Sequence, residues 1–326
     1  MLSSSQVTPL RDTRLLDVTI RDGGYVNRHS WTREQALRLA AASAEAGVRC
    51  IEIGYFRPAR HAVDGDAAPA ASCPPDYLEA LRNKLPEATT LVAMVHAKDV
   101  SLAHYRQLAD LGVGFVRLPT KASAAGHVGE HVEAIRAAGM QAAVNVIRVS
   151  EVATDDVIAV AAVAEQAGVN VLYVADSNGS LFPEQVTELI RTVRAATSTP
   201  LGFHAHDGLS LAFSNSLAAA REGARYLDAS LGGLGKGGGN LSMELIAGYL
   251  RSRAGASYDI TPLARATADV LAPWKGGNSL AECESIVSGL LDLNIDDIQK
   301  VQKESADQLI PLLNRSASAV EASLSS

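Results

Sequence analysis

The chain has 326 residues, and its 47% of hydrophobic and 20% of charged residues give an ordinary globular balance with enough apolar material for a core. A net charge of -7 argues against a nucleic-acid surface and against a patch that binds anionic lipid. Cys50, Cys73 and Cys283 show no Cys-x-x-Cys spacing, and no apolar run reaches the roughly 20 residues that span a bilayer. We therefore expect a cytoplasmic protein without a disulfide framework.

Eight strands are predicted from short runs of β-branched and aliphatic residues. They cover 15–20, 48–54, 90–95, 115–118, 142–147, 171–175, 201–205 and 225–229. Helical segments separate these strands, and several end in an Ala-Gly-Val or Leu-Gly-Val step, where glycine ends the helix. Eight strand–helix units over about 235 residues predict an α/β fold of the (β/α)8 TIM-barrel type, for which about 250 residues are typical. A doubly wound sheet is the second choice.

Three segments are predicted along the chain. They are an N-terminal arm at 1–14, the barrel domain at 15–255 and an all-helical C-terminal region at 256–326. Helices are expected in that last region over 262–272, 280–291 and 296–313, covering either the barrel or a neighbouring subunit. The Ala/Pro-rich stretch at 57–75 is long for a connection between a strand and a helix, which predicts a lid or a mobile loop.

Polar residues on the inward face of the strands are informative, because branched aliphatics normally fill such a barrel. Alternation along the strands predicts inward polar side chains at Asp17, Thr19, Arg21, Glu52, Arg117, Asn145 and Asp228. Functional groups of this fold lie at the C-terminal strand ends. The residues that fall there are Arg21, Asp22, His96, Asp176, His204 and His206. Each alone could be a hydrogen-bonded structural group, but together they predict a polar cavity.

The two histidines of the seventh predicted strand suit a metal ion. Successive side chains of a strand point to opposite faces, so His204 and His206 share one face. Two imidazoles need a carboxylate and a solvent or substrate oxygen to complete an open site. Asp22 is the natural third ligand, although strict alternation would turn it away from the interior. The alternative is a pair of core histidines with satisfied hydrogen bonds.

A glycine-rich stretch at 231–240 follows the eighth predicted strand and precedes a helix. Glycines at this density allow positive φ and let backbone amides approach an anion. Lys236 is followed by glycine rather than Ser or Thr, so this is not a P-loop. A flexible cover over a metal site, a phosphate cradle and a plain loose turn all remain open.

Three motifs in this order resemble a known superfamily. They are Asp-Val-Thr-Ile-Arg-Asp-Gly at 17–23, His-Ala-His-Asp-Gly at 204–208, and Gly239-Asn240 with Glu244 following. The turn Asp-Ser-Asn-Gly at 176–179 is similar to the superfamily's Asp-Ser-x-Gly. The chain resembles the metal-dependent pyruvate aldolases and lyases, which include 4-hydroxy-2-oxovalerate aldolase, hydroxymethylglutaryl-CoA lyase and the isopropylmalate and homocitrate synthases. The aldolases look most similar.

This resemblance implies a divalent metal, Mn²⁺ or Mg²⁺ with Co²⁺ or Zn²⁺ as alternatives. Its implied ligands are Asp22, His204 and His206, with Asn240 as a further ligand or a neighbour. The implied reaction is cleavage or formation of a 4-hydroxy-2-oxo acid through a pyruvate enolate. The metal and a fixed guanidinium would stabilise the enolate charge. The residues implied to bind the 2-oxo acid substrate are Arg21, Ser177 and Asn145.

One position departs from the aldolase pattern. Those aldolases carry a histidine as the base three residues after the metal aspartate, whereas this chain has Tyr25. A phenol ordinarily titrates near pH 10 and is a poor base at neutral pH unless its surroundings favour the phenolate. Either Tyr25 acts nonetheless, or His29 or His96 replaces it, or the substrate differs.

A different substrate would indicate a Claisen-type acyltransferase that condenses an acyl-CoA with a 2-oxo acid. The synthases that do so generally have a longer C-terminal regulatory region, which favours the aldolase. Two histidines and an aspartate also occur in non-haem iron oxygenases, but on other folds. A non-catalytic subunit that docks a dehydrogenase would show no turnover alone. Aldolases of this type associate with an aldehyde dehydrogenase, so we expect that partner, and we expect a homo-oligomer.

Overall fold

Eight parallel strands hydrogen-bond in sequential order and close into a barrel, in which β1 pairs with both β2 and β8. The computed structural model describes residue 10 and residues 12–61, 67–274 and 293–304. The strands are β1 Arg14–Asp17, β2 Cys50–Tyr55, β3 Thr90–Met94, β4 Val113–Thr120, β5 Gln141–Val146, β6 Val171–Asp176, β7 Leu201–Ala205 and β8 Ala224–Ala229. The predicted TIM barrel is confirmed, and the doubly wound alternative is wrong because the sheet has no open edge.

One long helix follows each strand on the outside of the barrel. These helices are α1 Arg33–Glu45, α2 Pro75–Lys84, α3 His104–Asp110, α4 Val128–Ala137, α5 Thr154–Gln166, α6 Pro183–Ala196, α7 Ala212–Arg221 and α8 Met243–Ala254. Sequence signals fix several of their starts. Thr32 and Gln35 form a capping box at α1, and proline occupies the first turn of α2 and α6, where no amide hydrogen is needed.

The C-terminal region is helical where it is described. Helix α9, Ile260–Ala266, lies beside α1 and continues into a wider π-helical turn at Thr267–Leu271, and α10 covers Ile295–Glu304. The helix predicted at 280–291 and the end of that predicted at 296–313 lie outside the described residues. None of the helices in the described ranges is both long and apolar enough to cross a membrane. The domain boundaries at 14–15 and 255–256 stay predictions.

The barrel interior has an apolar layer beneath the polar mouth. Its buried members come from both sides of the ring and are Leu16, Val18, Val92, Phe115, Ala143, Val171 and Tyr173. A larger apolar layer fills the space between the strands and the helices. Gly202 leaves room for this inner packing, since a Cβ there would lie 2.5 Å from the Tyr173 ring.

Two of the predicted inward polar residues and one predicted strand-end residue do not face the mouth. Asp17 accepts a hydrogen bond from Ser43 of α1 at 2.6 Å, on the outside of the barrel. Thr19 follows the end of β1, where its amide donates to Asp17 at 2.8 Å and its hydroxyl accepts from the amide of Leu231 at 2.8 Å. Asp176 accepts from the amides of the turn after β6. The prediction was wrong for Asp17 and Asp176 because Leu16, Val18 and Tyr173 occupy the inner apolar layer, so alternation turns these two carboxylates outward. It was wrong for Thr19 because β1 ends at Asp17.

We predict that Gly54→Ala destabilises the fold. Gly54 has a φ of +144°, and a Cβ there would lie 2.2 Å from the carbonyl oxygen of Ala70. Backbone strain of this kind costs about 1–3 kcal/mol, and the overlap adds to it. Chemical denaturation should show this loss in the free energy of unfolding. Gly126→Ala is the control, since a Cβ there meets nothing within 4 Å; equal losses in both variants would contradict the explanation.

Candidate metal centre and active site

The two histidines of the His-x-His motif converge at the C-terminal end of β7. Their Nε2 atoms lie 3.2 Å apart, and both side chains are buried. His204 bonds through Nδ1 to the Asp228 carboxylate at 2.9 Å, and His206 bonds through Nδ1 to the carbonyl oxygen of Gly239 at 3.1 Å. These acceptors hold the proton of each neutral ring on Nδ1, so both Nε2 lone pairs face the same point.

Asp22 joins the histidines because the chain leaves the strand geometry before it. β1 ends at Asp17, and the amide of Asp22 donates to the carbonyl of Val18 at 2.7 Å in a tight turn. This turn frees Asp22 from the strand alternation and directs its side chain to the mouth of the barrel. Its Oδ2 lies 3.9 Å from Nε2 of His206 and accepts from Nδ2 of Asn240 at 2.8 Å.

Electrostatics keep this cluster ready to bind a cation. Burial alone would raise the pKa of the Asp22 carboxyl, but the Arg21 guanidinium and the two histidines bring that pKa well below its usual range. Burial lowers the pKa of His206 to about 4, against the opposing effect of Asp22. The carboxylate is therefore ionised and the His206 ring neutral at pH 7, which are the forms that ligate a metal.

The residues fit a divalent metal ion. Ligand atoms of Asp22, His204 and His206 all lie within 4.8 Å of one another. Two lone pairs that face each other at the distance of the Nε2 atoms repel unless a cation or a proton lies between them. Oδ1 of Asn240 is buried and has no hydrogen-bond partner among the described residues, so a fourth oxygen is free at the same place. Nitrogen and carboxylate donors of this kind suit Mn²⁺, Mg²⁺, Co²⁺ and Zn²⁺.

The glycine-rich stretch at 231–240 forms one wall of the cluster. Gly239 has a φ of +95°, and a Cβ there would lie 2.3 Å from the carbonyl oxygen of Gly233. A Cβ at Gly235 would strike the Asn240 side chain. Glu244 holds the stretch by accepting from the amide of Gly232 at 2.9 Å and 3.0 Å. The stretch is thus an ordered support for Asn240 and His206, and the loose-turn interpretation is wrong.

A buried charge network continues from the cluster across the barrel. Nε of Arg21 donates to Glu52 at 2.6 Å, and Arg21 also donates to Asp22. Glu52 pairs with Arg117 at 3.2 Å, and Arg117 donates to Asp228 at 2.5 Å. Sequence alternation placed Glu52, Arg117 and Asp228 inside correctly but gave them no role. Their pairing could not be read from the sequence, because each comes from a different strand.

A cavity of about 190 Å³, here called the catalytic cavity, opens above the cluster. It brings together every predicted catalytic and substrate-binding residue, and its lining includes Arg21, Asp22, Tyr25, Asn145, Ser177, His204 and His206. Sequence reasoning missed Tyr55, Arg148 and Ile295 and gave Lys236 no place in a binding site, although all four line the cavity. Tyr55 ends β2, so its position at a strand end was the available signal.

The three candidate bases occupy different places. Tyr25 is 45% exposed and shares a hydrogen bond of 3.1 Å with the hydroxyl of Tyr55. His96 follows β3 and lines the catalytic cavity, whereas His29 is not part of the cavity wall. The His29 ring instead packs edge-on against Tyr25 and Tyr55. Burial lowers the pKa of both His29 and His96 to about 4, so both rings are neutral at pH 7.

Comparison with known proteins agrees with this geometry. A family model described as HMGL-like matches residues 12–270. A 4-hydroxy-2-oxovalerate aldolase of Pelotomaculum thermopropionicum is 32% identical over 255 residues, which are 76% of this chain and 72% of that protein. A protein of the same name from Geobacillus thermodenitrificans is 33% identical over 248 residues, 74% of this chain and 70% of that one.

Among solved structures, the N-terminal domain of a Bacteroides vulgatus protein superposes with a TM-score of 0.78 and 24% identity, over 92% of this chain and 99% of that one. At that identity the likeness supports the fold. The family model covers the whole barrel, including Asp22, His204, His206 and Asn240. The chain therefore belongs to the HMGL-like family.

Proposed function

We propose that this protein is a divalent-metal-dependent aldolase, a carbon–carbon lyase that cleaves or forms a 4-hydroxy-2-oxo acid. The observation that carries this function is the cluster of Asp22, His204 and His206 in a buried cavity, in a chain whose relatives at 32% and 33% identity are 4-hydroxy-2-oxovalerate aldolases. Nothing in the described residues favours the acyltransferase alternative over this one.

In the cleavage direction, the bond between C3 and C4 of the substrate breaks. The proton of the 4-hydroxyl leaves to a base, and C4 becomes the carbonyl carbon of an aldehyde. The electron pair of the broken bond passes into the enolate of pyruvate, and a proton at C3 then completes pyruvate. The barrier falls when fixed positive groups lie beside the 2-oxo oxygen, where negative charge develops.

The metal would be held by Asp22, His204 and His206, with Oδ1 of Asn240 as a fourth donor. When bound, it would supply Lewis-acid polarisation of the 2-oxo group. Arg21 lies against Asp22 at the same wall, and its Nη2 makes no hydrogen bond to any described residue. Glu52 and Asp22 raise the pKa of Arg21 well above its usual value, against the effect of burial. Arg21 can therefore stabilise the enolate oxygen without losing its proton.

The substrate carboxylate is assigned to the side of the cavity formed by the ends of β5 and β6. Oγ of Ser177 accepts from the amide of Arg148 at 2.9 Å, so its hydroxyl hydrogen remains available to a carboxylate. The Arg148 and Lys236 side chains add positive charge to this wall. Asn145 accepts from Arg117 through Oδ1 at 3.3 Å, which leaves its amide hydrogens as donors toward the substrate.

Tyr25 is proposed as the group that takes the proton of the 4-hydroxyl. Burial raises the pKa of its neighbour Tyr55 well above the usual range, so Tyr55 stays protonated and can donate to Tyr25. A hydrogen bond donated to a phenolate favours the charged form. The Arg21 guanidinium lies 6.0 Å from the centre of the Tyr55 ring, so a cation adjoins the partner of Tyr25. Tyr25 thus has partners that suit a base.

Several further properties are proposed on the resemblance alone. The metal is Mn²⁺ or Mg²⁺, the protein forms a homo-oligomer, and an aldehyde dehydrogenase receives the aldehyde. The cysteine spacing supports a cytoplasmic location. The charge of the chain, at -7, supports the absence of a nucleic-acid partner.

We predict that the purified protein binds one Mn²⁺ per chain in isothermal titration calorimetry. Asp22→Ala and His204→Ala should each weaken this binding by more than about 100-fold, because each removes a ligand from a site with few alternatives. His127→Ala is the matched control, since His127 is exposed and lies outside the cluster. Retention of Mn²⁺ by both ligand variants would remove the proposed site.

We predict that the protein releases pyruvate from 4-hydroxy-2-oxovalerate. The release is measured by coupling it to lactate dehydrogenase. Chelation should abolish this release, and Mn²⁺ or Mg²⁺ should restore it, because the 2-oxo group then regains its polarising cation. Consumption of acetyl-CoA with a 2-oxo acid, without pyruvate release, would instead favour the acyltransferase.

We predict that Tyr25→Phe lowers kcat by about 10²-fold or more, as loss of a general base does. His96→Gln, in the same cavity, should retain most activity. The pH profile of kcat/KM between 5 and 9 is the second measurement. A His96 base, with a pKa of about 4, is already neutral above pH 5 and would give a flat profile there. A flat profile with an active Tyr25→Phe variant would assign the base to His96.

A further inference from the structure

A second cavity adjoins the catalytic cavity. It has a volume of about 670 Å³ against about 190 Å³ for the catalytic cavity, and we call it the side cavity. The two cavities share His96, Pro119 and Ile147, which lie at the ends of β3, β4 and β5. The two cavities therefore meet at these three residues, at the mouth of the barrel.

The wall of the side cavity offers mainly apolar surface. Leu118, Pro119, Ala124, Val128 and Ile147 contribute to it. Two of its polar side chains already bond to other protein groups. His131 shares a hydrogen bond of 2.6 Å with Tyr105, and the Thr120 hydroxyl donates to the carbonyl of Leu118 at 3.2 Å.

At the outer rim, His127 pairs with Glu130 at 3.0 Å. Lys98 and Lys121 also belong to the lining, but both are exposed to solvent. Polar groups that are already satisfied gain little from a polar ligand, whereas the apolar wall gains from contact with an apolar one. The side cavity therefore suits an apolar occupant.

The topology of the barrel orients a substrate toward this cavity. In a closed ring of eight sequential strands, β3 lies across from β7 and β5 lies across from β1. The proposed metal ligands come from the ends of β1 and β7 and from the stretch after β8. A substrate whose 2-oxo end lies at the metal ligands thus directs its other end across the mouth, to the side where β3, β4 and β5 end.

We propose that the aldehyde half of the substrate carries an apolar chain or ring of several carbons, which occupies the side cavity. This inference rests on the aldolase function proposed above and names its substrate class. The products of cleavage are then pyruvate and a long alkyl or aryl aldehyde. The bonds made and broken are those of the proposed reaction, and no further reactant is needed.

The test measures aldol addition of pyruvate to a homologous series of aldehydes, from ethanal to heptanal, with benzaldehyde as an aryl member. The Mn²⁺-loaded wild-type protein is used, and products are quantified by mass spectrometry. Burial of each added methylene should raise kcat/KM by about 2- to 4-fold until the chain fills the cavity. A value of kcat/KM that is highest for ethanal and falls along the series would overturn the inference.

A pair of variants tests whether the apolar part of the aldehyde lies in the side cavity. Ala124→Phe places a ring in the side cavity from an exposed position, so it needs no space in the core. It should lower kcat/KM for heptanal about tenfold or more, which corresponds to the loss of about two buried methylenes. The kcat/KM for ethanal should change by no more than about twofold. Ser123→Phe is the matched control, because Ser123 is the exposed neighbour that does not line the cavity. Equal effects of Ala124→Phe on both aldehydes would contradict the proposed placement.

Exchange of the pyruvate methyl hydrogens in D₂O separates this inference from the function on which it rests. Exchange reports enolate formation and needs no aldehyde. Exchange without a preference for long aldehydes would overturn only the substrate class. Absence of both exchange and addition would overturn the aldolase function together with the inference.

Discussion

A buried network of charged groups that ends in His204 holds the mouth of this barrel in place. In order, its members are Asp22, Arg21, Glu52, Arg117, Asp228 and His204. Removal of one partner from such a buried pair costs about 3–5 kcal/mol, whereas exchange of a whole pair for apolar residues is often neutral or stabilising. Stability alone therefore does not account for the chain of charges. Both of its ends are proposed metal ligands, and its rigid pairing fixes the distance between them.

Closure of the sheet brings the members of this network close together. β1 and β8 are hydrogen-bonded neighbours although nearly the whole barrel lies between them in sequence, and β7 follows next around the ring. Asp22, Asn240 and the two histidines therefore meet on one side of the mouth. The apolar layer below contains Phe115 and Tyr173, and the Arg117 guanidinium lies 4.1 Å from the centre of the Tyr173 ring. A floor of low polarity strengthens every charge interaction above it.

Sequence periodicity predicted the strand count and the shared face of His204 and His206, because both depend only on alternation within one strand. It failed at Asp17 because Leu16 and Val18 face the interior instead, and at Thr19 because β1 ends early, at Asp17. The same early end gives Asp22 its direction, which alternation could not supply. A local sequence pattern also cannot predict contacts between distant segments. One such contact is the salt bridge of 2.8 Å between Arg148 and Asp296 of α10. Such contacts exist only after the barrel has closed.

The two halves of an aldol cleavage need opposite surroundings, and the ring of strands provides both. The enolate half carries negative charge and would gain from cations, and Arg21 and the proposed metal ligands lie at the ends of β1, β7 and β8. The aldehyde half leaves as a neutral molecule and gains from apolar surface, which lies beyond the ends of β3 to β5. Between these sides lie Tyr25, Tyr55 and His96. Since C4 and its hydroxyl lie between the two halves of the substrate, the group that takes the proton belongs at this boundary.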